Sequence, residues 1–188
     1  HLQWWFTYVQ RHQGEPSEPL TVGIAVHDYA ETRLTGDRWA APTHFIEPTI
    51  RSLIEVFDAD ILPTYHKPVL VEHPFLIEIN GIPYSGHIDS VDDQSGPCDP
   101  SDGSDHTFEP GCPCGSGRGY ILRDLKTTSS RPASGRYRLN MTGYWLGARE
   151  DGYEPVAAQL DYLVRTKKPY YYRELMDRMR LVPDDFRT

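Results

Sequence analysis

The chain contains no run of 18 apolar residues, so a membrane-spanning helix is not expected. Cysteine is scarce, with three in 188 residues, all between positions 98 and 114. An odd count crowded into one stretch is not the framework of a disulfide-stapled secreted protein. No basic-then-apolar leader pattern stands at the start. These absences lead to the expectation of a cytoplasmic chain with no membrane partner.

Positive charge is also sparse over most of the length. Residues 1–117 hold 5 of the 19 Lys and Arg but 18 of the 27 Asp and Glu, a net charge of −13. The whole chain carries −8, which by itself argues against a polyanionic partner. The remainder, 118–188, is net +5, and 118–138 alone holds six basic residues against one acid, Asp124. Such an island can bind a polyanion on an acidic protein, although a solvated surface is the ordinary reading of a charge cluster. A composition of 38% hydrophobic and 24% charged residues excludes wholesale disorder. The length suits one domain with a real core.

Several elements can be read from pattern. Leu2–Arg11 is aromatic-rich and reads as a helix or a buried arm. Leu20–Leu34 reads as a helix stopped by Gly36, and Ile46–Phe57 as a second helix. Val69–Val71 and Phe75–Ile79 are rich in strand formers. Asn80-Gly81 is a hairpin signal, and Ile82–Val91 returns as a strand. Gly119–Thr127 reads as a strand and Tyr137–Glu150 as a helix. Val156–Val164 reads as a strand and Tyr171–Leu181 as a short amphipathic helix. The order suggests an α/β fold, a mixed sheet flanked by helices.

The chemistry concentrates in Gly86–Asp89 and Arg123–Thr128. On a strand, Asp124 and Lys126 project from one face and Leu125 from the other. A carboxylate can hold a divalent cation, and an amine can support an attacking water or the charge developing on phosphorus. Asp89 can add a second carboxylate, and hard oxygen ligands select Mg²⁺ or Mn²⁺. Taken alone, Asp124 and Lys126 read as a structural ion pair, because short motifs recur by chance. His27 and Glu31 lie four apart on the first helix and share a face. The imidazole can complete a metal site and shifts preference towards Mn²⁺.

Five pieces occur in order: Gly23…His27, Glu72…Phe75, Gly86…Asp89, Asp124-Leu125-Lys126-Thr127 and Asn140…Tyr144. This series resembles the PD-(D/E)xK nuclease superfamily in its RecB-like branch, over roughly residues 20–165. The resemblance implies a restriction-endonuclease-like core. It implies His27, Asp89, Asp124 and the Leu125 backbone carbonyl as metal ligands. Asp89, Asp124 and Lys126 would be the catalytic set, with Mn²⁺ or Mg²⁺ as cofactor. Asn140 and Tyr144 would lie on a helix lining the DNA path, and Glu31 would orient His27. Asn140 stands where the family usually has Gln, one methylene longer. Arg131, Arg136 and Arg138 are the best candidates for phosphate contacts. Arg123 is a weaker one, since it faces opposite to Asp124.

Residues 94–117 hold five Gly, four Pro and all three Cys, and read as a surface insertion in a domain spanning 1–188. Cys98, His106, Cys112 and Cys114 could hold a structural Zn²⁺, or the thiols could be incidental to a flexible loop. Some RecB-like nucleases carry an iron–sulfur cluster on one early and three late cysteines. This chain has no Cys before 98 or after 114, so no such cluster is expected.

The expectation is a metal-dependent DNA nuclease. The family suggests exonuclease action on ends or single strands, within recombination, repair, phage or CRISPR-related processing and in a larger DNA-processing complex. Two other readings stand beside it. One is a non-catalytic nucleic-acid-binding or scaffolding module on the same fold. The other makes the cysteine-rich insertion a protein-interaction arm. Joint presence of His27, Asp89, Asp124 and Lys126 argues against the first, since a degraded site should have lost at least one.

Overall fold

The computed structural model describes residues 17–39, 48–79, 81–94, 119–133 and 135–177. Helix α1 spans Glu18–Thr35. Pro19 sits in its first turn, where no intrahelical N–H is lost, and Gly36 closes it at φ 80. Val22, Ala25, Val26 and Ala30 form its buried stripe. Helix α2 (Pro48–Val56) continues through a π turn, Phe57–Ile61, and a 3-10 turn, Leu62–Thr64. Ile50, Leu53, Phe57 and Ile61 are buried along it. Both helices fall where the apolar spacing predicts them.

Strands β1 (Pro68–Ile79) and β2 (Ile82–Asp93) form an antiparallel hairpin closed at Ile79 and Ile82. Gly81 takes φ +77, which a two-residue hairpin turn requires. Strand β3 (Tyr120–Thr128) pairs antiparallel with β2 only over Ser90–Asp93. Pro83 therefore sits where β2 has no ladder to β3, a place that tolerates its missing N–H. Helix α3 (Arg138–Glu150) then crosses over to β4 (Pro155–Val164), which lies parallel to β3. Strand β5 (Tyr170–Asp177) runs antiparallel to β4 and completes the order β1-β2-β3-β4-β5.

Two cores lie on opposite faces of this mixed sheet. Met141, Trp145 and Ala148 of α3 pack on Ile88, Leu122, Leu160 and Tyr162. Helices α1 and α2 pack on Leu125 and Leu163. Leu125 thus points away from α3, as strand alternation requires.

The last element corrects the sequence reading. Tyr171–Leu181 is not a helix as far as the described residues go, because Tyr170–Asp177 is a strand. Tyr171 packs with the α1/α2 core and Tyr172 with the α3 core, the period of two that a strand imposes. Three consecutive tyrosines favour a half-buried pleated surface, and β4 offers a free edge. The insertion at 94–117, apart from Gln94, and the Leu2–Arg11 segment lie outside the described residues. So do Cys98, His106, Cys112 and Cys114. Among the described residues, no helix is long and apolar enough to cross a membrane.

Candidate active site

The β2–β3 ladder stops at Ser90 and Arg123. Asp89 and Asp124 are the next residues on the two strands, so the fork between the strands opens onto two carboxylates. The Leu125 N–H turns into this fork and donates to Asp89 Oδ2 at 2.9 Å. Lys126, two residues beyond Asp124 on the same face, donates to Asp124 Oδ1 at 2.6 Å.

Helix α1 reaches the same fork because Gly23 has no side chain. A Cβ there would meet Thr127 Oγ1 at 3.2 Å. One turn later, His27 Nδ1 stands 3.6 Å from Asp89 Oδ2 and 3.9 Å from Glu72 Oε1. Those separations are too long for good hydrogen bonds but suit donors that share a cation. Among the described residues, His27, Glu72 and Asp89 form a group whose donor atoms all lie within 4.8 Å of one another.

Glu72 is the residue that sequence reasoning passed over as a donor. It lies between the pairs Val71↔Ser90 and His73↔Ile88, opposite Asp89. Its φ of 46 lies in the left-handed region, uncommon for a non-glycine residue and typically a cost of about 1–3 kcal/mol. The signal was present in Glu72…Phe75, whose acid was given no role. Phe75 explains its own half of that pattern. Its ring fills the space over Gly86, its cross-strand partner, and against Gly147 of α3, where added Cβ atoms would meet it at 2.9 and 2.6 Å.

The charges of these side chains act on one another. Burial, and then the charge of Asp89, push Asp124 up to about 7. Burial also raises Asp89, although Lys126 and His27 oppose the rise. Burial disfavours charge on His27, but Glu72 and then Asp89 outweigh it and raise its pKa. Lys126 is raised in the same way, with Asp124 and Asp89 outweighing burial. Asp124 Oδ2 is buried and has no hydrogen-bond partner. The His27, Glu72 and Asp89 donors fit a hard divalent cation. Asp124, predicted as a ligand, is not part of that three-residue group: its Oδ1 meets Lys126, and its Oδ2 is left as a further oxygen without a partner.

The other sequence candidates are spread along the surface. Tyr144 is half-buried and packs edge-on against Phe75, with ring centroids 5.9 Å apart. Asn140 is exposed on the first turn of α3 and lines a shallow cleft with Tyr84 and Leu139. Arg131 lies over the Tyr172 ring at 3.9 Å and donates to its hydroxyl at 2.8 Å. Arg136 and Arg138 are exposed at the start of α3. Glu31 is exposed, and the carboxylates nearest His27 Nδ1 are Glu72 and Asp89 instead.

One further reading needs correction. Arg123 is not a surface cation. It is 1% exposed and donates to Asp161 Oδ2 at 2.8 and 2.9 Å and to Thr64. Its guanidinium also stacks 3.6 Å over Tyr65. Asp92, three residues beyond Asp89 on β2, is fully buried and accepts from the His66 and Lys67 N–H groups, which anchors the segment entering β1.

No protein-family model matches the chain, and a search of curated proteins finds no match. Among solved structures, the chain is similar to a crystal structure described as a "Putative exonuclease" from Eubacterium rectale. The TM-score is 0.57 and the identity 13%, over 94% of this chain and 65% of that one. The chain therefore spans about 65% of that protein's length. At this identity the likeness concerns the fold, an α/β core with a five-stranded mixed sheet and flanking helices.

Proposed function

We propose that the chain is a metal-dependent nuclease that hydrolyses DNA phosphodiester bonds. The observation that carries this reading is the His27, Glu72 and Asp89 donor group at the strand fork, next to which Asp124 pairs with Lys126 and keeps a buried Oδ2 without a partner. The name of the structural neighbour supports the same reading and favours an exonuclease.

In this reading His27, Glu72, Asp89 and Asp124 hold Mn²⁺ or Mg²⁺, with the Leu125 carbonyl as a further ligand. A cation held there would supply a polarised water and would neutralise charge on the phosphate oxygens. The chain's own residues do the rest. The Leu125 N–H fixes the Asp89 carboxylate. Lys126, which donates to Asp124 Oδ1 at 2.6 Å, would present its amine to the charge developing on the phosphate. Tyr144, held by Phe75, and Asn140 border the approach along α3. Arg131, Arg136 and Arg138 attract the strand, which makes binding strongly salt-dependent.

The test is incubation of 5′- and 3′-labelled single- and double-stranded DNA with Mn²⁺, Mg²⁺ or EDTA. Wild type should cleave only with metal, and Asp124→Ala should not cleave. A ladder shortening from one end gives exonuclease action and its polarity. DNA binding without cleavage under any metal would favour a binding module on the same fold.

A further inference from the structure

A second cleft of about 280 Å³ opens beside the candidate active site. Its walls are the end of β3 and the loop after it, Thr127–Ser130, with Arg136, Tyr137 and Arg165. It shares Pro19 and Thr127 with the larger cleft of about 640 Å³ that contains His27, Glu72 and Lys126. The two therefore lie side by side at the sheet end. Thr128 follows Lys126 by two strand positions, about 6–7 Å along β3.

The chemistry of this second cleft is that of an anion site. Two guanidinium groups come from different elements, Arg136 ahead of α3 and Arg165 after β4. Arg136 has no ion pair among the described residues. Arg165 is fixed by its backbone N–H, which donates to Thr128 O at 2.7 Å. Among the described residues its side chain pairs with Glu18, at 3.3 Å, and Glu18 is 73% exposed, so this pair is weak and easily exchanged. Thr128 Oγ1 is buried with no hydrogen-bond partner. Helix α3 begins at Arg138 with no side-chain cap, and its N-cap, Tyr137, lines the cleft. The positive end of the helix therefore adds to the two arginines. Among the described residues, no carboxylate lines the cleft.

Building on the nuclease reading, we propose that this cleft is a phosphate subsite, in which Arg136, Arg165 and the Thr128 hydroxyl grip a strand phosphate next to the scissile one. The phosphate belongs either to the chain's interior, as a diester, or to its end, as a monoester. A monoester carries more charge and more free oxygens, so a preference for it would make the enzyme end-directed.

The experiment measures binding in EDTA of labelled 12-mers ending in 5′-phosphate, 3′-phosphate or hydroxyl at both ends. Wild type is compared with Arg136→Ala, Arg165→Ala, Thr128→Val and Glu18→Gln over a salt series. Each arginine variant should weaken binding roughly tenfold and lower the salt slope by about one. Thr128→Val should weaken it a few-fold without lowering Tm, because its hydroxyl has no partner to lose. Glu18→Gln frees Arg165 and should leave binding equal or tighter. A larger loss on one terminal phosphate identifies an end subsite, and an equal loss on all three identifies an interior diester.

Wild-type affinity and slope in both arginine variants would overturn the subsite. So would a loss in Glu18→Gln matching that in Arg165→Ala, since Arg165 would then act only by structure. With Mn²⁺ present, cleavage with unchanged binding in the variants overturns the subsite and keeps the nuclease. Altered binding without cleavage does the reverse.

Discussion

The Leu125 N–H donates to Asp89 Oδ2 at 2.9 Å, while the Leu125 side chain is buried under α1 and α2. One residue therefore couples the core to a carboxylate of the candidate site. The ladder between β2 and β3 has already ended at that point, so this N–H is available to a side chain. Helix α1, lying on the same leucine, brings His27 to the other side of Asp89. The site is thus positioned by a strand fork and by one helix packed over it.

Asp124 makes stability depend on pH in an unusual direction. Its ordinary value is 3.8, and burial and then Asp89 push it up to about 7 in the fold. The resulting stabilisation is complete below about pH 4 and is lost as pH rises through about 7. His27, also raised, acts in the same direction. In EDTA, Tm should fall between about pH 4 and pH 7. Asp124→Asn should stabilise the metal-free protein at pH 8 by on the order of 1–3 kcal/mol. Mn²⁺ requires the carboxylate, so its affinity should climb over the same interval. Thermal scans with and without Mn²⁺ read all three effects, and an Asp124→Asn profile identical to wild type would contradict the assignment.

Glu72 should be a metal ligand in fact as well as in position. Glu72→Gln keeps the size of the side chain and removes one charge. Mn²⁺ binding followed by calorimetry should weaken at least about tenfold. Unchanged Mn²⁺ affinity would leave Glu72 as a partner of His27 and nothing more.

Arg123 and Asp161 form a buried pair that does not face the fork. Gln159 and Tyr171 also donate to Asp161, each at 2.7 Å. Asp161→Ala strands a guanidinium that is 1% exposed, and should cost about 3–5 kcal/mol in denaturant unfolding. A loss under 1 kcal/mol would mean that Asp92, 4.0 Å away, takes over the charge.

Gly147→Ala places a methyl 2.6 Å from the Phe75 ring. Phe75 is 7% exposed and cannot swing away. Overpacking of this kind should cost about 1–3 kcal/mol in chemical denaturation. Gly143→Ala makes a similar approach to Tyr84, but that ring is 36% exposed and can move, so the loss there should be smaller.

Local signals made much of this legible. Asp124 and Lys126 share a face because strands alternate, and Gly36 and Gly81 mark real ends. The spacing of Gly23 and His27 encodes a close approach and a reach one turn later. What could not be read depends on distant partners. Arg123 reads as a surface cation until β4 sets Asp161 beside it, 38 positions on. Tyr170–Asp177 has a pattern compatible with a helix until the free edge of β4 selects a strand. Glu72 becomes a donor only because a left-handed residue within β1 stands opposite Asp89. Periodicity assigns no such backbone conformation to a glutamate.

The most direct single measurement is Mn²⁺-dependent hydrolysis of an end-labelled strand by wild type and Lys126→Met, with Mn²⁺ binding measured on the same samples. The expected result is cleavage by wild type, none in EDTA, and a loss of at least about 100-fold in Lys126→Met although Mn²⁺ still binds. Equal rates in the two proteins, or equal rates with Mn²⁺ and EDTA, would contradict a metal-and-lysine nuclease site at the β2–β3 fork.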